Sequence, residues 1–182
     1  MLDNEIRTDV FISSTSIDLP EYREAVMKTL LGLGLFPIGM ETWPKTGENP
    51  VDKCKRMVDK SEIYIGIFAY RYGWQPDGYS GKSITEMEYD WAGEKGIPRL
   101  CFIMSDKYPW PSDSDHREKD KQGELDAFKA RVKKDEVGFF TTPDDLAKQV
   151  AIALSGVVQN KPNLVSYHDW LHKQSHKSGL LS

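Results

Sequence analysis

Three acids stand two residues apart in "GKSITEMEYDWAGEKGIP", Gly81 to Pro98: Glu86, Glu88 and Asp90. Helical periodicity advances the chain about 100° per residue. With Ile84 at zero, Met87 and Trp91 fall within roughly 60° of it, and these three form the expected buried stripe. Glu86 and Asp90 fall on the far side, where solvated charges belong. Glu88 lands at about 40°, among the apolar residues. A carboxylate aimed inward is a candidate site residue. The duller alternative is an acid that snorkels or caps a neighbouring loop, because a buried charge needs a partner but not a reaction.

The elements that would position Glu88 alternate between strand and helix. "DVFISS" (Asp9 to Ser14) predicts a strand ending in small hydroxyl residues. "IDLPEYREAVMKTLLGLG" predicts a helix with Asp18 as N-cap, Pro20 in its first turn and Leu19, Tyr22, Val26, Leu30 and Leu33 inward. "LFPIGM" is a second short strand, followed by the loop "ETWPKTGENP". A helix over "VDKCKRMVDKS" starts at Asn49 or Pro50, with Val51, Cys54, Met57 and Val58 inward. "EIYIGIFAY" is the most strongly β-forming run and the predicted central strand. Ser83 caps the helix of Glu88, and "PRLCFIM" is the fourth strand. A charged excursion around Trp110 leads to a helix over "ELDAFKARVKK" and a short edge strand, "VGFFTT". "PDDLAKQVAIALSGVVQ" is the last helix, capped by Thr141 or Thr142. The alternation predicts an α/β fold: an open sheet of four to five mainly parallel strands with helices on both faces.

Ligands of such sheets sit beyond the carboxyl ends of the strands. Strand one delivers Ser13, Ser14 and Thr15 to that edge, strand two Glu41 and Trp43, and strand three Tyr70, Arg71, Tyr72 and Trp74. Ser83 and Glu88 start from the same edge. Each has an alternative reading: the hydroxyls as turn and capping groups, Arg71 as a surface ion pair, the tryptophans as core cover. No G-x-G-x-x-G follows strand one and no G-x-x-x-x-G-K-[ST] occurs, so a P-loop or an ordinary dinucleotide-binding site is not expected.

Composition narrows the classes further. A chain of 182 residues with 39% apolar and 29% charged residues suits one soluble domain, with or without a tail. A net charge of -4 gives no support for nucleic-acid binding. Cys54 and Cys101 are expected to be reduced, buried thiols of a cytoplasmic protein. No signal peptide opens the chain and no apolar run approaches the ~20 residues of a membrane span. There are no internal repeats.

Four stretches in order, "DVFISSTSIDLPEYREAV", "LGLFPIGMETW", "SEIYIGIFAYRYGW" and "GKSITEMEYDWAGEKGIPRLCF", resemble the DUF4062 family. That family groups with TIR-like domains that often head STAND-type signalling ATPases. The resemblance implies a flavodoxin-like or TIR-like sheet and an NAD glycohydrolase of immune or antiviral defence. It implies NAD as substrate rather than cofactor, catalysis on assembly through TIR self-association, and downstream sensor or ATPase domains. Catalytic TIR domains use one glutamate on the helix after the third strand, in a register of glutamate, three residues, then alanine. Glu88-Tyr89-Asp90-Trp91-Ala92 fits that register and Glu86 does not. Trp43, Tyr72 or Trp74 would stack on a ring and Arg71 would meet the pyrophosphate. The alternatives are a non-catalytic adaptor module and a nucleoside-deoxyribosyltransferase-like enzyme, whose helix also carries a glutamate near its sugar.

Residues 1–159 are read as this domain and 160–182 as a linker or helix leading to a further domain. His168, His172 and His176 share a helical face there, but without an H-E-x-x-H motif no metal site is expected. No Ser-His-type triad is expected either, since all four histidines follow residue 115.

Overall fold

The computed structural model describes residues 7–40, 47–107 and 117–160. Its elements run β1 (Asp9–Ser13), α1 (Pro20–Gly32), β2 (Phe36–Ile38), α2 (Pro50–Lys60), β3 (Ile63–Phe68), α3 (Ile84–Lys95), β4 (Arg99–Met104), α4 (Gln122–Val132), β5 (Val137–Phe140) and α5 (Pro143–Asn160). The five strands form one sheet in the order β2-β1-β3-β4-β5, and every neighbouring pair is parallel. The run expected at the centre is there, and all six residues of β3 are buried.

Alternation along the strands builds two cores. Val10, Ile12, Ile63, Ile65 and Ile67 pack with Val26 and Leu30 of α1 and with Leu146, Val150 and Leu154 of α5. Phe11, Tyr64, Phe68 and Ile103 face the other way, against Val58 of α2, Tyr89 and Ala92 of α3, and Phe128 of α4. One face therefore carries two helices and the other three. The chain leaves β1 on the first face and β3 on the second, so the carboxyl ends of these neighbours diverge and open a crevice at the topological switch point.

Three helix starts follow local chemistry, while α1 and α4 begin without a side-chain cap. Asn49 accepts from the Val51 amide at 2.8 Å with Pro50 in the first turn, and Ser83 accepts from the Glu86 amide at 3.2 Å. Thr142 accepts from the Asp145 amide at 3.1 Å, while the Asp145 carboxylate accepts from the Thr141 amide at 2.9 Å. Asp18 does not cap α1. Leu19 holds that position without a side-chain bond, because the Asp18 carboxylate is taken by the Thr15 hydroxyl at 2.5 Å. Leu33, expected inward, is 41% exposed beyond the helix end.

Helix α3 departs from its expected face. Its buried residues are Thr85, Met87, Glu88, Tyr89 and Ala92, whereas Ile84 and Trp91 are only partly covered. A single apolar stripe assumes one partner surface. Here the sheet lies beneath, α2 packs on one flank and α4 reaches the other. Cys54 and Cys101 are free buried thiols. Among the described residues, no helix is long and apolar enough to cross a membrane.

Candidate active site

Ser13 ends β1 two residues past Phe11, so its side chain points to the same, three-helix face. Its register partner on β3 is Gly66, which offers no side chain beside it. The space beside Gly66 is taken by the rings of Phe68 and Tyr64. The Ser13 hydroxyl donates to the Glu88 carboxylate at 2.6 Å, and the Cys54 thiol from α2 donates to the same carboxylate. Glu88 is only 6% exposed. Arg23 of α1, equally buried, donates to the Ser14 hydroxyl at 2.7 Å and extends its positive charge to Glu88.

Burial dominates the electrostatics. It pushes the Glu88 carboxyl up to about 7, although Ser13, Cys54 and Arg23 all favour the ionised form. Burial, reinforced by the carboxylate, raises the Cys54 thiol too. The Tyr64 hydroxyl is fully buried in the same group, beside Ser13 and Glu88. At neutral pH the site is thus a buried carboxyl close to half-ionised, with one hydroxyl and one thiol aimed at it.

Glu86, expected in solvent, is half-buried. The Tyr72 hydroxyl donates to it at 2.5 Å and Arg131 of α4 pairs with it at 2.7 Å. Arg131 also bridges to Asp90 at 2.5 Å, and Lys82 meets Asp90 at 2.8 Å. Two residues on a helix do aim in different directions, but the second direction is covered by α4 rather than open.

The remaining candidates divide. Ser13 and Ser14 join the Glu88 and Arg23 groups, and Thr15 holds Asp18 beside them. Tyr72 is drawn away to Glu86, and Arg71 pairs with Glu118 at 3.1 Å. Tyr70 lies under two cations, Trp74 is 52% exposed, and Ser83 is buried as the α3 cap. Glu41 and Trp43 lie outside the described residues, as do His168, His172 and His176. Among the described residues, no group of three or more metal-ligating side chains occurs.

Glu118 has a larger role than its place in a charged excursion suggests. It accepts from Arg71 and from the Gly73 amide at 2.8 Å, while Lys121 donates to the Gly73 carbonyl at 3.1 Å. The loop after β3 is thereby latched across the crevice. Gly73 has φ +96°, and a Cβ there would stand 3.0 Å from the Thr15 methyl, so glycine is the residue this passage admits. Neither of two large cavities is lined by Glu88. One, about 820 Å³, lies at the amino ends of β4 and β5 beneath α5. The other, about 690 Å³, lies beyond the carboxyl ends of β3 and β4.

Sequence reasoning passed over Arg23, Cys54 and Glu118. The signal that marked Glu88 was present for Arg23, which sits four residues after Leu19 and three before Val26 on the apolar stripe of α1. Cys54 was placed inward, but as core. Nothing local marks Glu118.

A five-stranded parallel sheet in this order is a flavodoxin-like α/β fold, and a buried acid lies at its switch point. The chain belongs to the DUF4062 family (domain of unknown function), whose model matches residues 9–155. It is similar in fold to the TIR domains in the activated Roq1 resistosome directly recognizing the pathogen effector XopQ. That likeness has 12% identity and a TM-score of 0.54 over 82% of this chain and 99% of that one. The CMP N-glycosidase BcmB of Clostridium botulinum superposes with a TM-score of 0.48 at 10% identity, over 80% of this chain and 99% of that chain. No curated protein matches the chain.

Proposed function

We propose that this domain hydrolyses NAD at the nicotinamide–ribosyl bond when assembled, as the effector part of an immune or defence signalling protein. The observation that carries this reading is Glu88, a buried carboxyl held by the Ser13 hydroxyl at the switch point of the sheet. In the reaction, the bond between the ribose anomeric carbon and the nicotinamide nitrogen breaks, and its electron pair leaves with nicotinamide. The ribosyl group becomes an oxocarbenium-like cation, which an ionised Glu88 stabilises. Water then adds to the anomeric carbon, and Glu88 takes the proton it releases. Nicotinamide is already a cationic leaving group, so no acid is needed to protonate it. Ser13 holds the carboxylate in position.

A non-catalytic self-association module is the second reading, favoured by the latched loop and by cavities that do not reach Glu88. A paired substitution separates the two. Glu88→Gln should lower nicotinamide release at least ~100-fold, by analogy with removal of one charge-stabilising group. Glu86→Gln should keep the parental rate per folded molecule, while losing about 1–3 kcal/mol of stability through Tyr72 and Arg131. Parental nicotinamide release by Glu88→Gln would refute the assignment, and absence of release from the assembled parent would leave the module reading.

A further inference from the structure

The face of the sheet that packs on α1 and α5 carries one helix fewer than the other, and its cover is incomplete. The cavity of about 820 Å³ is a groove at the amino ends of β4 and β5, walled by Ile152, Gly156 and Val157 of α5 and floored by Leu100, Phe102 and Gly138. The floor is closed, because a Cβ at Gly138 would stand 2.7 Å from both the Phe102 ring and the Gln149 side chain. The wall is open. Ile152 is 64% exposed, and a Cβ at Gly156 would meet nothing within 4 Å. Helix α5 thus has two working faces. Leu146, Val150 and Leu154 enter the core, while Gln149, Ile152, Gly156 and Asn160 run along the groove at helical spacing. An apolar groove rimmed by polar groups marks an interaction site.

The chain itself supplies an occupant. Helix α5 ends at Asn160, on the groove, and Pro162 follows, which lacks an amide proton and disfavours helical geometry at Lys161. A new helix is then encoded at once: Asn163 suits its N-cap, Lys177 its last turn and Gly179 its stop. On a helical wheel Leu164, Tyr167, Trp170 and Leu171 fall within roughly 120° of one another, and His168, His172 and His176 lie on the other side with Val165. Such a stripe needs an apolar surface to cover it. We propose that residues 164–171 of this chain pack into the groove as an antiparallel partner of α5, with Leu164, Tyr167, Trp170 and Leu171 against Ile152, Gly156 and the amino ends of β4 and β5. Lys161, Pro162 and Asn163 form a connection of the length that joins antiparallel helices, about two to five residues. The dimensions agree as well. From Gln149 to Asn160, α5 rises about 16 Å, and a helix from Asn163 to Lys173 rises about 15 Å. The segment makes a third helix on the face that α1 and α5 cover alone, and it belongs to this domain rather than to a linker. The inference is independent of the NAD reading.

Hydrogen exchange of the full chain, followed by mass spectrometry at a concentration where sedimentation shows monomers, tests this. Amides of residues 165–171 should exchange at least about tenfold more slowly than in the isolated peptide 161–182. Ile152→Asp and Leu171→Asp, one on each side of the contact, should each return them to the peptide rate, and unchanged exchange in β3 would show the sheet intact. Gly156→Leu adds a test of sign. Leucine favours a helix over glycine, and its Cβ meets no neighbour there, so in an empty groove it raises the melting temperature. With the segment docked, leucine intrudes on the contact, so the melting temperature should fall and exchange in 165–171 should rise. Exchange at the peptide rate in the parent, or protection that survives both Ile152→Asp and Gly156→Leu, would overturn the proposal. Protection that appears only as protein concentration rises would assign the groove to a second copy, and would overturn it equally.

Discussion

Glu88 carries a cost that pH exposes. Its carboxyl is pushed from 4.5 to about 7, because burial outweighs Ser13, Cys54 and Arg23. Between those two values the unfolded chain has released a proton that the folded chain retains, so stability falls as pH rises through this window. The penalty is absent below about 4.5 and complete above about 7, where a shift of this size corresponds to roughly 3 kcal/mol. Glu88→Gln removes it. The variant should gain about 2–3 kcal/mol over the parent between pH 5 and pH 8, read from urea unfolding at both values. Nicotinamide release by the parent should move the opposite way, rising through pH 7 as the carboxylate ionises. A stability difference between the two proteins that does not change with pH would show that Glu88 is ionised throughout.

Among the elements, the loop between β3 and α3 depends on a distant residue for its position. Glu118 holds it through Arg71 and the Gly73 amide, and Lys121 holds the Gly73 carbonyl. Both acidic contacts are sheltered, so they outweigh an exposed surface pair. Glu118→Ala should cost about 2–3 kcal/mol and leave the Gly73 amide unprotected. Hydrogen exchange at Gly73 measures it, and exchange as slow as in the parent would mean that the loop is held by its own turns. In α3, by contrast, Ser83 and Gly96 set the ends locally, and the helix needs no distant partner to start or stop.

At the scale of the whole molecule, the switch point lies between two cores, and Glu88 is enclosed by groups from β1, α1, α2 and α3. Under the proposed function, the domain acts when assembled. Nicotinamide release per protomer should then rise more than tenfold as protein concentration passes the range in which sedimentation detects association. A rate per protomer that stays constant through association would show that single domains are already competent.

Much of this architecture was legible along the chain. Hydrophobic periodicity and turn residues marked every strand and helix, and the unbroken apolar run of β3 marked the centre of the sheet. The same local rule singled out Glu88, since a charge on an apolar stripe shows in a dozen residues of sequence. It would have singled out Arg23 as well. What local patterning does not contain is the identity of the second neighbour. Glu86 is paired with Arg131, which arrives 45 residues later, and Arg71 meets Glu118 across 47. Sequence therefore determined which elements form and which acid turns inward, because both follow from the repeat of a single helix or strand. Tertiary structure alone decided which charges are paired, latched or left unpaired, because those outcomes depend on how separate elements pack against one another.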